Sequence, residues 1–155
     1  MSVAHTVGDA LALEGIRYRL LARDPSQAGG AAPAPGHTAR AVLMKDHGGH
    51  LLAVLPASRR LDEASLRTQL HRPDLARADD WALDESFYDC RLGFVPPLGP
   101  WYRIPTVVDR RLRDAPQVYF EGGDGEHLVC VEEEEFERLL DGAEYLDISI
   151  AADRR

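Results

Sequence analysis

Val7, Ala10 and Leu11 fall on one face of a short helical repeat over residues 6–15, and Gly15 stops it. Ile16 to Ala22 (IRYRLLA) then alternates apolar and polar side chains as a strand does. Residues 24–38 (DPSQAGGAAPAPGHT) carry Pro, Gly and Ala with no period and read as a loop. Arg40 to Met44 and Leu51 to Leu55 are β-leaning runs, joined as a hairpin by Asp46-His47-Gly48-Gly49. Asp62 is placed to cap a helix carrying Leu66 and Leu70, and a shorter helix follows at 80–87. Asp89 to Tyr102, with three prolines and two glycines, is irregular. Strands resume at Thr106 to Val108 and Val118 to Glu121. A tight Gly122-Gly123-Asp124-Gly125 turn leads to a further strand, His127 to Val131. Glu132 to Asp141 forms the last helix, with Phe136, Leu139 and Leu140 inward and Gly142 as its stop. Its four opening glutamates suit the positive end of the helix dipole. The order of elements predicts an α/β fold: one domain over residues 1–155, a mixed β-sheet flanked by helices, with 151–155 as a tail.

Composition narrows the setting. At 155 residues, 45% hydrophobic and 28% charged, the chain is long enough to bury a core without disulfides or metal. No apolar run approaches the roughly 20 residues that span a bilayer. The opening MSVAHTVGDALALEG lacks the basic-then-apolar pattern of a signal peptide. A cytoplasmic protein is expected, without membrane association and with Cys90 and Cys130 as reduced thiols. The net charge of −8 argues against a nucleic-acid partner, DNA included, but it is unevenly spread. Residues 118–147 hold eleven acids against Arg138 alone, whereas residues 1–117 are balanced to within one charge. Arg59, Arg60, Arg103, Arg110, Arg111 and Arg113 are candidates for a local basic rim.

Several chemistries are missing. There is no G-x-S-x-G elbow, phosphate loop, G-x-G-x-x-G or H-E-x-x-H. The six histidines have no ligand spacing with cysteine or carboxylate, so neither metal nor cofactor is expected. Cys90 has no neighbouring base to activate it and reads as a packed thiol. What remains are two glycine-bearing loops, Gly93 to Gly99 and Gly122 to Gly125, where backbone groups can approach a ligand.

The stretch LGFVPPLGPWYRIPTVVD (Leu92 to Asp109) resembles the core signature of the YbaK and prolyl-tRNA-synthetase-associated editing family. ARAVLMKD (Ala39 to Asp46), LLAVLPASRRLD (Leu51 to Asp62) and VYFEGGDGEHLVCV (Val118 to Val131) resemble further family segments in the same order, from about residue 8 to 141. The resemblance implies a YbaK-like editing fold that hydrolyses the ester between a small mischarged amino acid and the 3′ end of a tRNA. Action would be in trans, with the aminoacyl-tRNA 3′ end and an aminoacyl-tRNA synthetase as partners.

In such proteins a lysine contacts the substrate, a loop glycine's backbone places the water, and the substrate's ribose hydroxyl assists. By this match Arg40 occupies the lysine's position and Gly93 that of the loop glycine. Val95, Pro97, Gly99, Glu121, Gly122 and Gly123 fall at substrate-binding positions. Arginine keeps the charge of the lysine but cannot lose its proton. Lys45, the only lysine, is the alternative cation; five residues from Arg40, it points to the opposite face of a regular strand. Segment 24–38 is shorter than in many relatives, and Glu121 and Leu128 replace smaller or polar types. A second reading follows from Arg40: a noncatalytic module that binds aminoacyl-tRNA or a nucleotide. The deacylase reading expects Arg40 and the Gly93 backbone to meet at one hollow.

Overall fold

The computed structural model describes residues 3–23 and 34–152. Among them are four helices, α1 (His5–Leu13), α2 (Glu63–Leu70), α3 (Asp80–Ser86) and α4 (Glu133–Leu139). The strands are β1 (Tyr18–Ala22), β2 (Ala39–Asp46), β3 (Gly49–Pro56), β4 (Arg59–Leu61) and β5 (Ala76–Arg77). They continue with β6 (Thr106–Asp109), β7 (Gln117–Glu121), β8 (His127–Glu132), β9 (Glu144–Leu146) and β10 (Ser149–Ala151). A mixed sheet runs β5-β2-β3-β6-β9, an antiparallel one β1-β8-β7, and β10 pairs with β4. A parallel bridge between Thr38 and Tyr119 joins the two larger sheets.

Alternation along β2 explains the layering. Ala39 and Leu43 enter the principal core, together with Val118, Phe120, Val129 and Val131 of the three-stranded sheet. Val7, Ala10 and Leu11 of α1 and Phe136 and Leu139 of α4 fill the same core. Val42 and Met44 point the other way, into a second cluster with Leu61, Leu66, Leu75 and Ile148. The five-stranded sheet is therefore apolar on both faces. Its outer face is covered by α2 and the β4–β10 pair, and full burial of Leu66 there contributes roughly 1.5–3 kcal/mol.

Local chemistry sets the boundaries. The β2–β3 hairpin closes at Asp46 opposite Gly49, with Asp46 Oδ1 accepting from the Gly48 amide at 2.8 Å. Arg72 hydrogen-bonds the same carboxyl and, chiefly through that contact, holds its pKa down at about 2. Asp62 caps α2 by accepting from Ser65 N at 3.1 Å. Helix α1 begins on Ala4, which offers no side-chain cap. Asp89 replaces it from far along the chain, with Oδ2 accepting from Thr6 N at 2.8 Å.

Three expectations change. Of the loop expected over 24–38, residues 24–33 lie outside the described residues, and Pro35–His37 forms a 3₁₀ turn. Strands β4, β5, β9 and β10 are additional, each two or three residues long, and Ala151 belongs to β10 instead of a tail. At the start of α4, Glu133 does not simply gain from the helix dipole. Burial, then a hydrogen bond and repulsion from Glu137, push its carboxyl up to about 7.

Candidate functional site

The segment from Phe87 to Gly99 is tied to the β7–β8 turn by a backbone bond, Arg91 N to Gly123 O, at 2.7 Å. Phe94 N returns to Arg91 O at 3.0 Å, turning the loop tightly at Gly93. Gly93 has φ +91°, the left-handed region that favours glycine, and a Cβ there would meet nothing within 4 Å. Among the described residues neither its amide nor its carbonyl takes a hydrogen-bond partner. Its backbone is open to solvent.

The remaining predicted positions differ in kind. Val95 packs against the principal core, and Pro97 is buried. Gly99 is buried where a Cβ would stand 1.9 Å from Thr106 Oγ1 and 2.9 Å from Ile104 O. A Cβ on Gly122 would meet Val3 at 2.7 Å, and one on Gly123 would meet Ala4 at 2.8 Å and Cys90 Sγ at 3.0 Å. These three glycines are accounted for by close packing of protein on protein. Of the four loop glycines carried over, Gly93 alone faces free space.

Glu121 ends β7 with its side chain away from the principal core, since Val118 and Phe120 occupy the inner face. Arg23 holds its carboxylate through Nη2 to Oε2, while Arg23 Nε donates to Gly125 O at 3.2 Å. The same guanidinium lies over the Phe94 ring, 4.8 Å from its centroid. Arg23 and Phe94 thus join the hairpin turn to the Gly93 loop, a linkage missed by sequence reasoning. Arg23 carried one faint signal: one residue beyond β1, it keeps the parity of Arg19 and Leu21.

Arg40 lies on the outer side of β2, the side of Val42 and Met44. The Thr38–Tyr119 bridge puts Thr38, Arg40, Tyr119 and Glu121 on that same side. The Arg40 guanidinium is half-buried, donates to Arg59 O at 3.2 Å, and has its pKa lowered first by desolvation and then by nearby Arg77. The crevice lined by Gly93 and Val95 is completed by Leu83, Phe87, Cys90 and Leu92, without Arg40, and is too narrow for an aminoacyl group. Arg40 lies on the β2 side of the seam that the Thr38–Tyr119 bridge makes with β7, and the Gly93 loop is tied to the β7–β8 turn through Arg91 N and Gly123 O. Lys45 is exposed at the end of β2, on the opposite side from Arg40.

Cys90 is unsuited to nucleophilic attack. Burial, opposed by a hydrogen bond with Tyr102 and aided by the Asp89 charge, pushes its thiol up to about 12. Desolvation also works against the Asp89 carboxylate, but Thr6 and the Tyr102 hydroxyl at 2.7 Å hold its pKa below the ordinary value. Much of the expected basic rim is internally engaged. Arg59 donates to Ser149 at 2.7 Å, Arg111 pairs with Asp147 at 2.6 Å, and Arg113 stacks 3.8 Å from the Tyr145 centroid. Arg19 pairs with no carboxylate among the described residues and donates to Cys130 Sγ at 3.3 Å, beside a cavity of about 330 Å³ lined also by Arg17, Gln117 and Glu132.

A two-sheet α/β domain with this order of elements is found in solved structures. One is a protein from Marinobacter aquaeolei VT8 described as acting in signal transduction, with TM-score 0.78 and 25% identity over 94% of this chain; the chain spans only 30% of that protein. A scaffold used for epitope backbone grafting matches with TM-score 0.77 and 25% identity, over 95% of this chain and 96% of its own. A protein described as a trans-editing enzyme for prolyl tRNA synthetase shares the fold, with TM-score 0.76 and 23% identity, over 97% of this chain and all of its own. No protein of curated function matches the sequence. The aminoacyl-tRNA editing domain model matches residues 26–139. The chain belongs to the aminoacyl-tRNA editing domain family. No helix among the described residues is long and apolar enough to cross a membrane.

Proposed function

We propose that this chain is an aminoacyl-tRNA deacylase acting in trans, which removes a small mischarged amino acid by attack of water on the ester carbonyl. The observation that carries the reading is the editing-domain match over residues 26–139, which spans the strand of Arg40, the Gly93 loop and the β7–β8 hairpin. The open backbone of Gly93, without a partner among the described residues, supports its role in holding the water. Water adds to the carbonyl carbon, the bond to the ribose oxygen breaks, and that oxygen leaves with a proton relayed through the neighbouring ribose hydroxyl. Arg40 stabilises negative charge on the ester or terminal phosphate and takes no part in proton transfer, because a guanidinium stays protonated. An amino acid ester is already activated, so orientation and charge stabilisation suffice without a protein nucleophile.

The site would act as a second sieve for amino acids that a synthetase cannot reject by size, with the synthetase as a partner. The test is a panel of tRNAs mischarged with alanine, serine or cysteine, with release measured against buffer hydrolysis. Release of at least one supports the reading; release of none overturns it. A second reading, a module that binds aminoacyl-tRNA or a nucleotide without turnover, is favoured by the engagement of Arg40 with Arg59 O. Tight binding of the 3′ end with no release identifies it.

A further inference from the structure

Glu121 carries one unexplained atom. Its Oε2 accepts from Arg23, but Oε1 is buried and has no hydrogen-bond partner among the described residues. A buried carboxylate oxygen without a donor loses its hydration and gains nothing in return, so such an oxygen is expected to meet a donor in some state of the molecule. Arg23 cannot turn to serve both oxygens freely: Gly125 O holds its Nε at 3.2 Å and the Phe94 ring lies against its face. The carboxylate is thus oriented by Arg23 with one oxygen left over.

Its position on β7 narrows the identity of that donor. Among the described residues β2 and β7 are paired through the Thr38–Tyr119 bridge, and the two strands run parallel there. Two residues beyond the bridge stand Arg40 on β2 and Glu121 on β7, on the same side of the two strands. The seam therefore presents a cation on one flank and an anion on the other. An aminoacyl ester has the complementary layout: an ammonium group on the α-carbon, and a polarised ester beside a phosphodiester at the other end.

We propose that Glu121 receives the α-ammonium group of the aminoacyl moiety, so that the site selects free aminoacyl esters over N-acylated ones. The inference rests on the deacylase reading for its class of substrate. An ammonium brings three N–H donors and a charge to Oε1, whereas an N-acyl group brings one neutral donor and added bulk.

The experiment compares two non-hydrolysable probes, an alanyl group joined to 3′-amino-3′-deoxyadenosine by an amide and the same compound N-acetylated. Both are titrated at pH 6, below the α-amino pKa of about 7.7–8.0. Wild-type protein is expected to bind the free amine at least tenfold more tightly, and Glu121→Gln to narrow that preference to within about twofold. Equal binding of the two probes by the wild type, which needs no variant to fold, overturns the assignment. So does a preference that survives in Glu121→Gln. The mischarged-tRNA panel is scored separately: selective probe binding without release removes the deacylase reading and leaves the ammonium receptor standing.

Discussion

Gly93 and Gly99 sit at the two ends of one seven-residue loop, and they are glycine for opposite reasons. At Gly99 the backbone conformation is ordinary and the space is gone: Thr106 Oγ1 occupies the position that a Cβ would take. At Gly93 the space is free and the conformation is demanding, with φ +91°. The first end anchors the loop in the core beside β6. The second holds a bare piece of main chain up to solvent. A motif that reads as one unit in sequence is thus half buried foundation and half open surface.

The largest effect that tests this contrast is expected from Gly99→Ala. Overpacking a buried position costs about 3 kcal/mol, which lowers the thermal midpoint by roughly 6–12 °C for a domain of this size. A variant with an unchanged melt would show that the core end gives way more easily than its distances imply. Gly93→Ala is expected to cost only about 1 kcal/mol, the strain of a left-handed Cβ, while deacylation slows about tenfold or more. Comparable losses of stability at both ends would erase the distinction.

Arg40→Ala is expected to leave the melt nearly unchanged and lower the deacylation rate at least tenfold, with Arg40→Lys close to the parent. A full rate in Arg40→Ala would take Arg40 out of the site. A further test lies far from the loop. Glu133 has a folded pKa of about 7 against an ordinary 4.5, so the folded state holds this proton more tightly than the unfolded chain. Its contribution to stability is therefore present below about 4.5 and is lost as pH rises through about 7. Thermal melts across that window should flatten in Glu133→Gln; an identical slope in both proteins would contradict the shift.

The long, patterned elements were legible before any coordinates. The runs at Ala39–Asp46 and Gly49–Pro56 carry their own turn chemistry, and Asp62 marks the start of α2 with a side chain that does cap it. Strands β4 and β10 were not legible. Each has three residues, too few to show a period, and Arg59 finds its partner at Ala151, far along the chain. The same limit applied to the site. Arg40 and Gly93 stand in recognisable motifs, whereas Arg23 is joined to Glu121 and Phe94 only by folding. Sequence also could not separate glycines required by neighbours, such as Gly122 against Val3, from Gly93, which faces open space.

The acceptance of the Thr6 amide by Asp89 has a practical corollary. The first helix is bonded to Asp89, just ahead of the Gly93 loop, although some eighty residues separate them, and Ala4 N to Gly122 O at 2.8 Å ties its start to the hairpin turn as well. A label or fusion installed around Val3 or Ala4 would therefore disturb the Gly93 loop and the β7–β8 turn together.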